Sequence, residues 1–249
     1  MERFGFKVNK LFKRLKILKI RGIIFDKDGT LFDIQRSWSE WANVFVTKFS
    51  KKHNLDITKL AEAINFDLTS CKFLRESIFV HGSVDEVVDA ISRLFPQITK
   101  KAIHSGLFEN SSDAKQVPLT DLHKLFSSLN TITFGLVTND SENNAINHLK
   151  QHNLTQFFDM IIGYDSGFGA KPESGQLEAF LRKTNLLPQE VLMIGDSIYD
   201  LVAANKIDMP CLGVLSGTAN ENDLRAHTPF LIESIDTLEE WLNKTFLEI

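Results

Sequence analysis

The chain has 249 residues, enough for one large domain or for a domain with a second one inserted into it. Hydrophobic residues make up 43% of the sequence and charged residues 24%, which is ordinary for a soluble globular protein. Two cysteines form no disulfide framework, and no apolar run approaches the roughly 18 residues of a membrane span, so we expect a cytoplasmic protein.

The charge is unevenly distributed along the chain. Residues 1–22 carry eight basic side chains and one acidic, a net charge of +7, whereas the rest carries 20 basic and 31 acidic side chains, a net charge of −11. Because the body is acidic, we expect no nucleic-acid partner. Residues 1–19 predict a basic amphipathic leader that could contact an anionic membrane surface, with a targeting presequence or a leader packed on the core as alternatives.

The first predicted strand is a short β-branched run from Ile20 to Phe25, and it ends at Asp26-Lys-Asp28-Gly-Thr30. Such a run is typical of a strand that is buried on both faces of a parallel sheet. Asp-Gly is also a common surface turn. However, ligands of open α/β sheets bind at the carboxyl ends of strands. There, Asp26 could attack an electrophile and Asp28 could give and take a proton.

The next eighty residues have helical patterns. Apolar residues at 38, 41, 42, 45 and 49 mark one helix face, and further helices are predicted at 56–68, from the Ser83–Glu86 capping box, and at 97–108. A polar segment, 109–116, leads back. We therefore expect an all-helical cap over residues 34–111, with its aromatic stripe as cap core.

The cap is where we expect the choice of substrate to be made. Arg36, Lys72 and Arg75 are cap cations that could bind a substrate carboxylate. A solvated surface charge is the alternative for each of them. The histidines show no metal-ligand spacing, and His148 with His152, four residues apart, predicts one exposed helix face.

From residue 117 onward, predicted helices and strands alternate. The strands are predicted at 131–137, 158–163, 190–194, 211–215 and 229–232, and the helices at 119–129, 141–152, 173–184, 198–205 and 236–246. This alternation predicts an α/β fold with a doubly wound parallel-sheet (Rossmann-like) core. The core would comprise residues 20–33 and 112–249.

Three later strand ends carry residues that suit a phosphate group. Thr138 offers a hydroxyl and Asn139 an amide, and Lys171 offers a point charge on a Gly-rich loop. Asp196 and Asp200 are hard oxygen ligands that could hold Mg²⁺ together with a substrate phosphate. Taken singly, Thr138-Asn139 and Asp196 could instead cap a helix, Lys171 could be a surface lysine, and Asp200 could be a solvated helix residue. Their occurrence at successive strand ends favours one shared site.

As a set, the motifs resemble those of the haloacid dehalogenase superfamily, in the subtype with a helical cap after the first strand. They are Asp26-Lys-Asp28-Gly-Thr30, Thr138-Asn139, Lys171-Pro172 and Gly195-Asp196-Ser-Ile-Tyr-Asp200. The overall pattern, with Gly-Phe-Gly-Ala-Lys-Pro, is most similar to phosphoglycolate-phosphatase-like members. Glu173-Ser174-Gly175 departs from the family's pattern, where a proline follows two residues further on, and this alters how the next helix begins.

The resemblance implies a Mg²⁺-dependent phosphoric monoester hydrolase. Asp26 would attack phosphorus and form an aspartyl-phosphate, and Asp28 would protonate the leaving alkoxide. Asp26, the backbone carbonyl of Asp28 and Asp196 would bind Mg²⁺, with Asp200 orienting a metal-bound water. The substrate would be a small phosphorylated metabolite, such as 2-phosphoglycolate.

Further roles and alternatives also follow from the resemblance. Thr138, Asn139 and Lys171 would hold the transferring phosphoryl group. An acid at position 28 favours phosphomonoester hydrolysis or phosphomutase chemistry, because the dehalogenases and ion pumps of the superfamily have none there. The alternatives are therefore a sugar phosphomutase of the same fold, or a membrane-surface or partner-binding protein that uses the basic N-terminus. The sequence does not indicate an oligomeric state.

Overall fold

The structure is a computed structural model that describes residues 19–74, 77–109 and 111–246. Its main feature is a six-stranded sheet in the order β5–β4–β1–β6–β7–β8, in which every neighbouring pair is parallel. The strands are β1 (Gly22–Phe25), β4 (Thr133–Val137), β5 (Met160–Ile162), β6 (Val191–Gly195), β7 (Cys211–Val214) and β8 (Leu231–Ile232). The predicted parallel sheet is confirmed.

Helices cover both faces of this sheet. They are α6 (Leu122–Ser128), α7 (Glu142–Gln151), α8 (Gly175–Thr184), α9 (Ile198–Asn205), α10 (Glu221–Arg225) and α11 (Leu238–Thr245). Because side chains of a strand alternate between faces, Ile23 and Phe25 of β1 pack with residues of α6, α7 and α11, whereas Ile24 packs with residues of α8, α9 and α10. The sheet is therefore doubly wound, as predicted.

The strand order brings three strand ends together. β1 lies at the centre, and Phe25 is paired with Leu136 of β4 on one side and with Ile194 of β6 on the other. The chain builds outward through β4 and β5 on one side and then through β6, β7 and β8 on the other, so the winding direction reverses next to β1. Ligands of open parallel sheets bind in the crevice at such a point.

The segment between β1 and β4 carries its own apolar cluster. Its helices are α1 (Ile34–His53), α2 (Ile57–Ala63), α3 (Ile78–His81), α4 (Val84–Leu94) and α5 (Lys100–Phe108). Their buried side chains pack with one another, separately from the two clusters of the sheet. The capping box predicted at Ser83 and Glu86 begins α4. This segregation supports the predicted division into cap and core, whose boundaries stay a prediction.

The inserted segment was predicted to be all-helical, and this prediction is wrong. The helix expected over 56–68 ends at Ala63, and a short antiparallel pair follows, formed by β2 (Phe66–Asp67) and β3 (Lys72–Phe73). Asn65 has a left-handed φ of 49°, which turns the chain away from the helix. The Asp67 carboxylate then accepts bonds from the backbone of Thr69 and Ser70, a local competitor of helical hydrogen bonding.

Three other expectations concern the N-terminal leader, membrane-spanning helices and the bounds of the elements. The basic leader predicted over residues 1–19 lies, except for Lys19, outside the described residues. Within the described ranges, no helix combines the length and apolar character that crossing a membrane requires. Elsewhere, α9 spans Ile198–Asn205, the range that the sequence predicted, and most other elements are a few residues shorter than predicted.

Candidate active site

Lys171 lies at the centre of the crevice where the strands β1, β4 and β6 end. Its ammonium group donates to Oδ1 of Asp26 at 2.6 Å, to Oδ1 of Asp200 at 2.5 Å and to the carbonyl of Val137 at 3.1 Å. The Lys171 side chain is 3% exposed, so these ion pairs are shielded from water. A cation that bonds both carboxylates ties its own loop to the segment that follows β1 and to the first turn of α9.

Asn139 fixes the backbone of Lys171. Its Oδ1 accepts from the Lys171 N–H and its Nδ2 donates to the Lys171 carbonyl, both at 2.9 Å. The phosphate-binding role predicted for this amide stays a prediction, and in the structure the amide positions the lysine loop. Thr138 is buried next to it, and its Oγ1 accepts from the backbone N–H of Asp140 at 3.1 Å. Both residues line the same cavity as Asp26.

The Asp196 carboxylate has one bonded and one unbonded oxygen. Oδ1 accepts from the Thr30 hydroxyl at 3.2 Å, while Oδ2 is buried and has no hydrogen-bond partner among the described residues. Two glycines pack against this carboxylate, since a Cβ on Gly29 or Gly217 would lie 2.4 Å or 1.8 Å from Oδ2. Gly29 also has a φ of +84°, which favours glycine. A buried oxygen without a donor is what a cation would satisfy.

The three carboxylates of the crevice outnumber the one lysine among them. Carboxylate oxygens of Asp26, Asp196 and Asp200 lie within 4.8 Å of one another. Burial and the neighbouring Asp200 carboxylate raise the pKa of Asp26 to about 7, against the pull of Lys171, and burial with Asp26 also raises the pKa of Asp196. Although burial opposes its charge, the two carboxylates that it bonds raise the pKa of Lys171. This excess negative charge fits a divalent metal ion, which prefers oxygen ligands.

Asp28 is held beside the crevice by two donors. Nε1 of Trp38 donates to Oδ1 of Asp28 at 2.7 Å, and the Lys27 ammonium lies 2.8 Å from Oδ2. The Asp28 side chain is 13% exposed and faces the cavity that Asp26 also lines. Both oxygens therefore have fixed donors, which sets the orientation of the carboxyl group towards the cavity.

Lys27 forms a buried polar cluster that the sequence analysis missed. Its ammonium lies 2.8 Å from Oδ2 of Asp140 and 2.9 Å from Nδ1 of His148, and the side chain is fully buried. Although burial opposes its charge, Asp140 and Asp28 raise the pKa of Lys27. The signal was the alternation after β1, because neighbours in an extended chain point in opposite directions. With Asp26 and Asp28 towards the cavity, the residue between them must point into the protein.

The prediction that His148 lies on an exposed helix face is wrong, because the side chain is fully buried. A lysine ammonium can only donate, so Nδ1 of His148 accepts, and the ring proton lies on Nε2, which faces the Ser111 carbonyl at 3.1 Å. Burial and the adjacent Lys27 charge lower the pKa of His148 to about 4. The helical face that carries His148 packs against the return segment near Ser111, which spacing along one helix does not reveal.

The crevice opens into a cavity of about 720 Å³, measured with the space at its mouth. Its core side carries Asp26, Asp28, Thr138, Asn139 and Lys171, and its cap side is mainly apolar. Two cap tryptophans belong to the cap core, as predicted, but they also line this cavity.

The three cap cations of the sequence analysis are placed differently. Arg36 and Lys72 are exposed, and neither lines this cavity. Arg75 lies outside the described residues. Their binding of a substrate carboxylate stays a prediction.

The fold and the crevice agree with comparisons to known proteins. Residues 23–214 match the haloacid dehalogenase-like hydrolase family, and the chain belongs to this family. A phosphoglycolate phosphatase from Vibrio vulnificus is 31% identical over 226 residues, which cover 88% of this chain and 95% of the relative. The predicted resemblance and the predicted enzyme class, a phosphoric monoester hydrolase, are both confirmed.

Two further similarities bear on the fold and the range of activities. The pyrophosphatase PpaX from Oceanobacillus iheyensis is 22% identical over 231 residues, which cover 88% of this chain and 94% of the relative. The crystal structure of a hydrolase from Pseudomonas syringae is similar with a TM-score of 0.61 and 21% identity, covering 90% of this chain and 98% of that one. The chain thus spans nearly the full length of these proteins.

The buried cluster predicts a large loss of stability when its cation is removed. We expect Lys27→Met to lower the free energy of unfolding by roughly 3–5 kcal/mol, because it removes the counter-charge of the largely buried carboxylates of Asp28 and Asp140. Urea unfolding measures this loss. The matched control is Lys206→Met, whose ion pair with Glu173 has a similar N–O distance of 2.7 Å but is exposed, so we expect less than about 1 kcal/mol. Equal losses in both variants would contradict the assignment.

The neutral state of His148 predicts a pH dependence of stability. Below its ordinary pKa of 6.5 the unfolded chain binds a proton that the folded chain refuses until about pH 4, so stability falls as the pH falls through this window. His148→Gln keeps a donor and an acceptor but does not titrate. We expect this variant to lose less stability than the wild type between pH 6.5 and 4, by up to about 3 kcal/mol. Identical pH profiles from urea unfolding would show that His148 does not contribute.

Proposed function

We propose that this protein is a Mg²⁺-dependent phosphatase that hydrolyses a small phosphomonoester through an aspartyl-phosphate on Asp26. One observation carries the proposal. In one buried crevice the Asp26 carboxylate accepts a hydrogen bond from Lys171 and has an oxygen within 4.8 Å of one of Asp196, and Asp28 lines the same cavity as Asp26. A nucleophile, an acid–base group and a charge clamp within one cavity are the parts that phosphoryl transfer needs.

Asp26 is the proposed nucleophile. Its carboxylate attacks phosphorus in line with the leaving oxygen, so that an Oδ–P bond forms as the ester P–O bond breaks. Lys171 stands next to the attacking carboxylate and is suited to stabilise the negative charge on the transferring oxygens, with Thr138 beside them. The ion pair of Lys171 with Asp200 keeps the ammonium in place, which makes Asp200 a positioning residue.

The residues of the crevice fit a bound Mg²⁺ ion. Asp26 and Asp196 would hold it, the latter through the oxygen that has no donor among the described residues, and the Asp28 carbonyl is the third proposed ligand. When bound, Mg²⁺ would neutralise charge on the phosphoryl oxygens. Asp26 must be ionised to attack, and a nearby cation offsets the burial that raises its pKa.

Asp28 is the proposed general acid and base. It gives its proton to the leaving alkoxide when the ester bond breaks, and its carboxylate then takes a proton from the water that attacks the phosphorus of the intermediate. This second step releases inorganic phosphate and restores Asp26. Trp38 and Lys27 fix the orientation of the Asp28 carboxyl group, one at each oxygen.

The relatives do not agree on one substrate. The Vibrio vulnificus protein is named for phosphoglycolate and the Oceanobacillus iheyensis protein for pyrophosphate. The first name supports 2-phosphoglycolate as a substrate to assay. The lining of the cavity bears separately on the leaving group.

The mechanism predicts different losses of activity when each of the two aspartates that follow β1 is replaced. We expect Asp26→Asn to abolish Mg²⁺-dependent phosphate release, because an amide cannot form the intermediate. Asp28→Asn should slow turnover by about 10²–10⁴-fold, since the amide can still accept the Trp38 bond but cannot transfer the proton. Steady-state phosphate release on a panel of phosphomonoesters measures both. Wild-type rates in purified Asp26→Asn would rule out the proposed nucleophile.

The proposed metal site predicts a stability effect that does not depend on turnover. At a Mg²⁺ concentration about 100-fold above its dissociation constant, the wild type should gain about 2.7 kcal/mol of stability over the protein in EDTA. Asp196→Asn should lose most of this gain, because it removes the charge of the carboxylate whose oxygen has no donor among the described residues. Thermal unfolding with and without Mg²⁺ measures the shift. An equal shift in the variant would place the metal elsewhere.

A further inference from the structure

We propose that the leaving group of the substrate is uncharged and largely apolar, rather than a carboxylate such as glycolate or a second phosphate. This inference rests on the proposed phosphatase function and concerns the part of the cavity beyond the phosphoryl site. It follows from the chemistry of the cavity walls and from the partners of the charged groups there.

The walls beyond the phosphoryl site are apolar. The cap contributes the side chains of Trp38, Trp41, Phe79, Val80, Val84 and Leu107. Pockets bind a group mainly through the contact area of such side chains, with few polar groups setting its orientation. A leaving group that enters this space therefore exchanges water for hydrocarbon on its cap side.

The cavity offers no second cation for an anionic leaving group among the described residues that line it. Lys171 is the one cation in this lining, and it already bonds Asp26, Asp200 and the Val137 carbonyl. Lys27 is fully buried and pairs with Asp28 and Asp140.

Besides Lys171, the charged side chains among the described residues that line this cavity are carboxylates. Asp28 and Asp140 both line it. A leaving group with its own negative charge would be desolvated next to these carboxylates without a counter-charge, which is strongly unfavourable. An uncharged group meets no such penalty.

The neutral polar groups of the lining are engaged with the protein. Asn144 donates to the Ser111 hydroxyl at 3.0 Å and to Asp140 at 2.9 Å, and the Ser197 hydroxyl donates to Asp200 at 2.7 Å. The Ser111 hydroxyl in turn faces the Phe108 carbonyl at 3.3 Å. Groups that are already paired gain little from a polyhydroxylated ligand, so the walls favour an apolar group over a sugar.

The apolar wall is preformed by an aromatic stack. Trp41 stacks between Phe45 and Phe79, with ring centroids 5.3 Å and 5.1 Å apart, and Phe79 stacks on Phe73 at 5.0 Å. Such a stack keeps the edges of Trp41 and Phe79 in place against the cavity. An apolar ring that enters the cavity can therefore contact these fixed aromatic edges.

Three alkyl phosphates test the inference. Propyl phosphate matches 2-phosphoglycolate in length but lacks its charge, and benzyl phosphate adds an apolar ring to a similar alkoxide leaving group. We expect kcat/KM to rise from 2-phosphoglycolate to propyl phosphate to benzyl phosphate, with at least about a tenfold difference between the first and the last. Pyrophosphate is assayed alongside, and its kcat/KM should be as low as that of 2-phosphoglycolate, below the values for both esters with uncharged leaving groups.

A variant with a cation in the wall locates the effect. Val80→Lys should lower the ratio of kcat/KM for benzyl phosphate to that for 2-phosphoglycolate by about tenfold, because it supplies the missing counter-charge. The control, Val44→Lys, changes an exposed valine of α1 that does not line this cavity, and its ratio should stay at the wild-type value. A ratio of two substrates is independent of the fraction of folded enzyme.

The outcomes separate this inference from the proposed function. Preference of the wild type for 2-phosphoglycolate or pyrophosphate overturns the inference and leaves the phosphatase function in place. An unchanged ratio in folded Val80→Lys contradicts the placement of the leaving group against this wall. If no ester is hydrolysed in the presence of Mg²⁺, the phosphatase proposal itself fails.

Discussion

The ion pairs of Lys171 are the interaction on which the arrangement of the active-site crevice depends. This ammonium bonds a carboxylate that follows β1, a carboxylate in α9 and a carbonyl of β4. Like charges in a buried crevice repel one another strongly, and the lysine offsets the repulsion between the carboxylates of Asp26 and Asp200. Asn139 bonds both the N–H and the carbonyl of this residue, which ties the loop that carries the lysine to the residues that follow β4.

The sheet order explains why so few residues suffice to build the site. β1 is flanked by β4 and β6, although these strands are distant from it in the sequence. Each contributes polar residues only where its buried stretch ends, and the parallel register places those ends side by side. The apolar interior of the sheet supplies the low polarity that strengthens charge interactions in the crevice, and glycines next to Asp196 leave room for the metal-binding side.

The sequence predicted the parts of the molecule that follow from periodicity and strand ends. The parallel sheet and most of its helices could be predicted because buried strands and amphipathic helices have distinct repeats. The β2–β3 hairpin could not, because its two-residue strands are too short to show a period and depend on the turn at Asn65 and Asp67. The burial of His148 depends on what packs against α7, which is a tertiary property.

Lys27 has a consequence for how this region can change by mutation. It is joined to Asp140 and His148 in one buried cluster, so the effects of replacing these three residues cannot be additive. Each single replacement leaves a charge or a lone pair without its partner, and joint replacement by apolar groups would still leave Asp28 without the ammonium that lies 2.8 Å from its Oδ2. The identity of the residue between the two aspartates of β1 is therefore tied to two positions more than a hundred residues away. Substitutions at these three positions are therefore coupled, and each one changes the effect of the others.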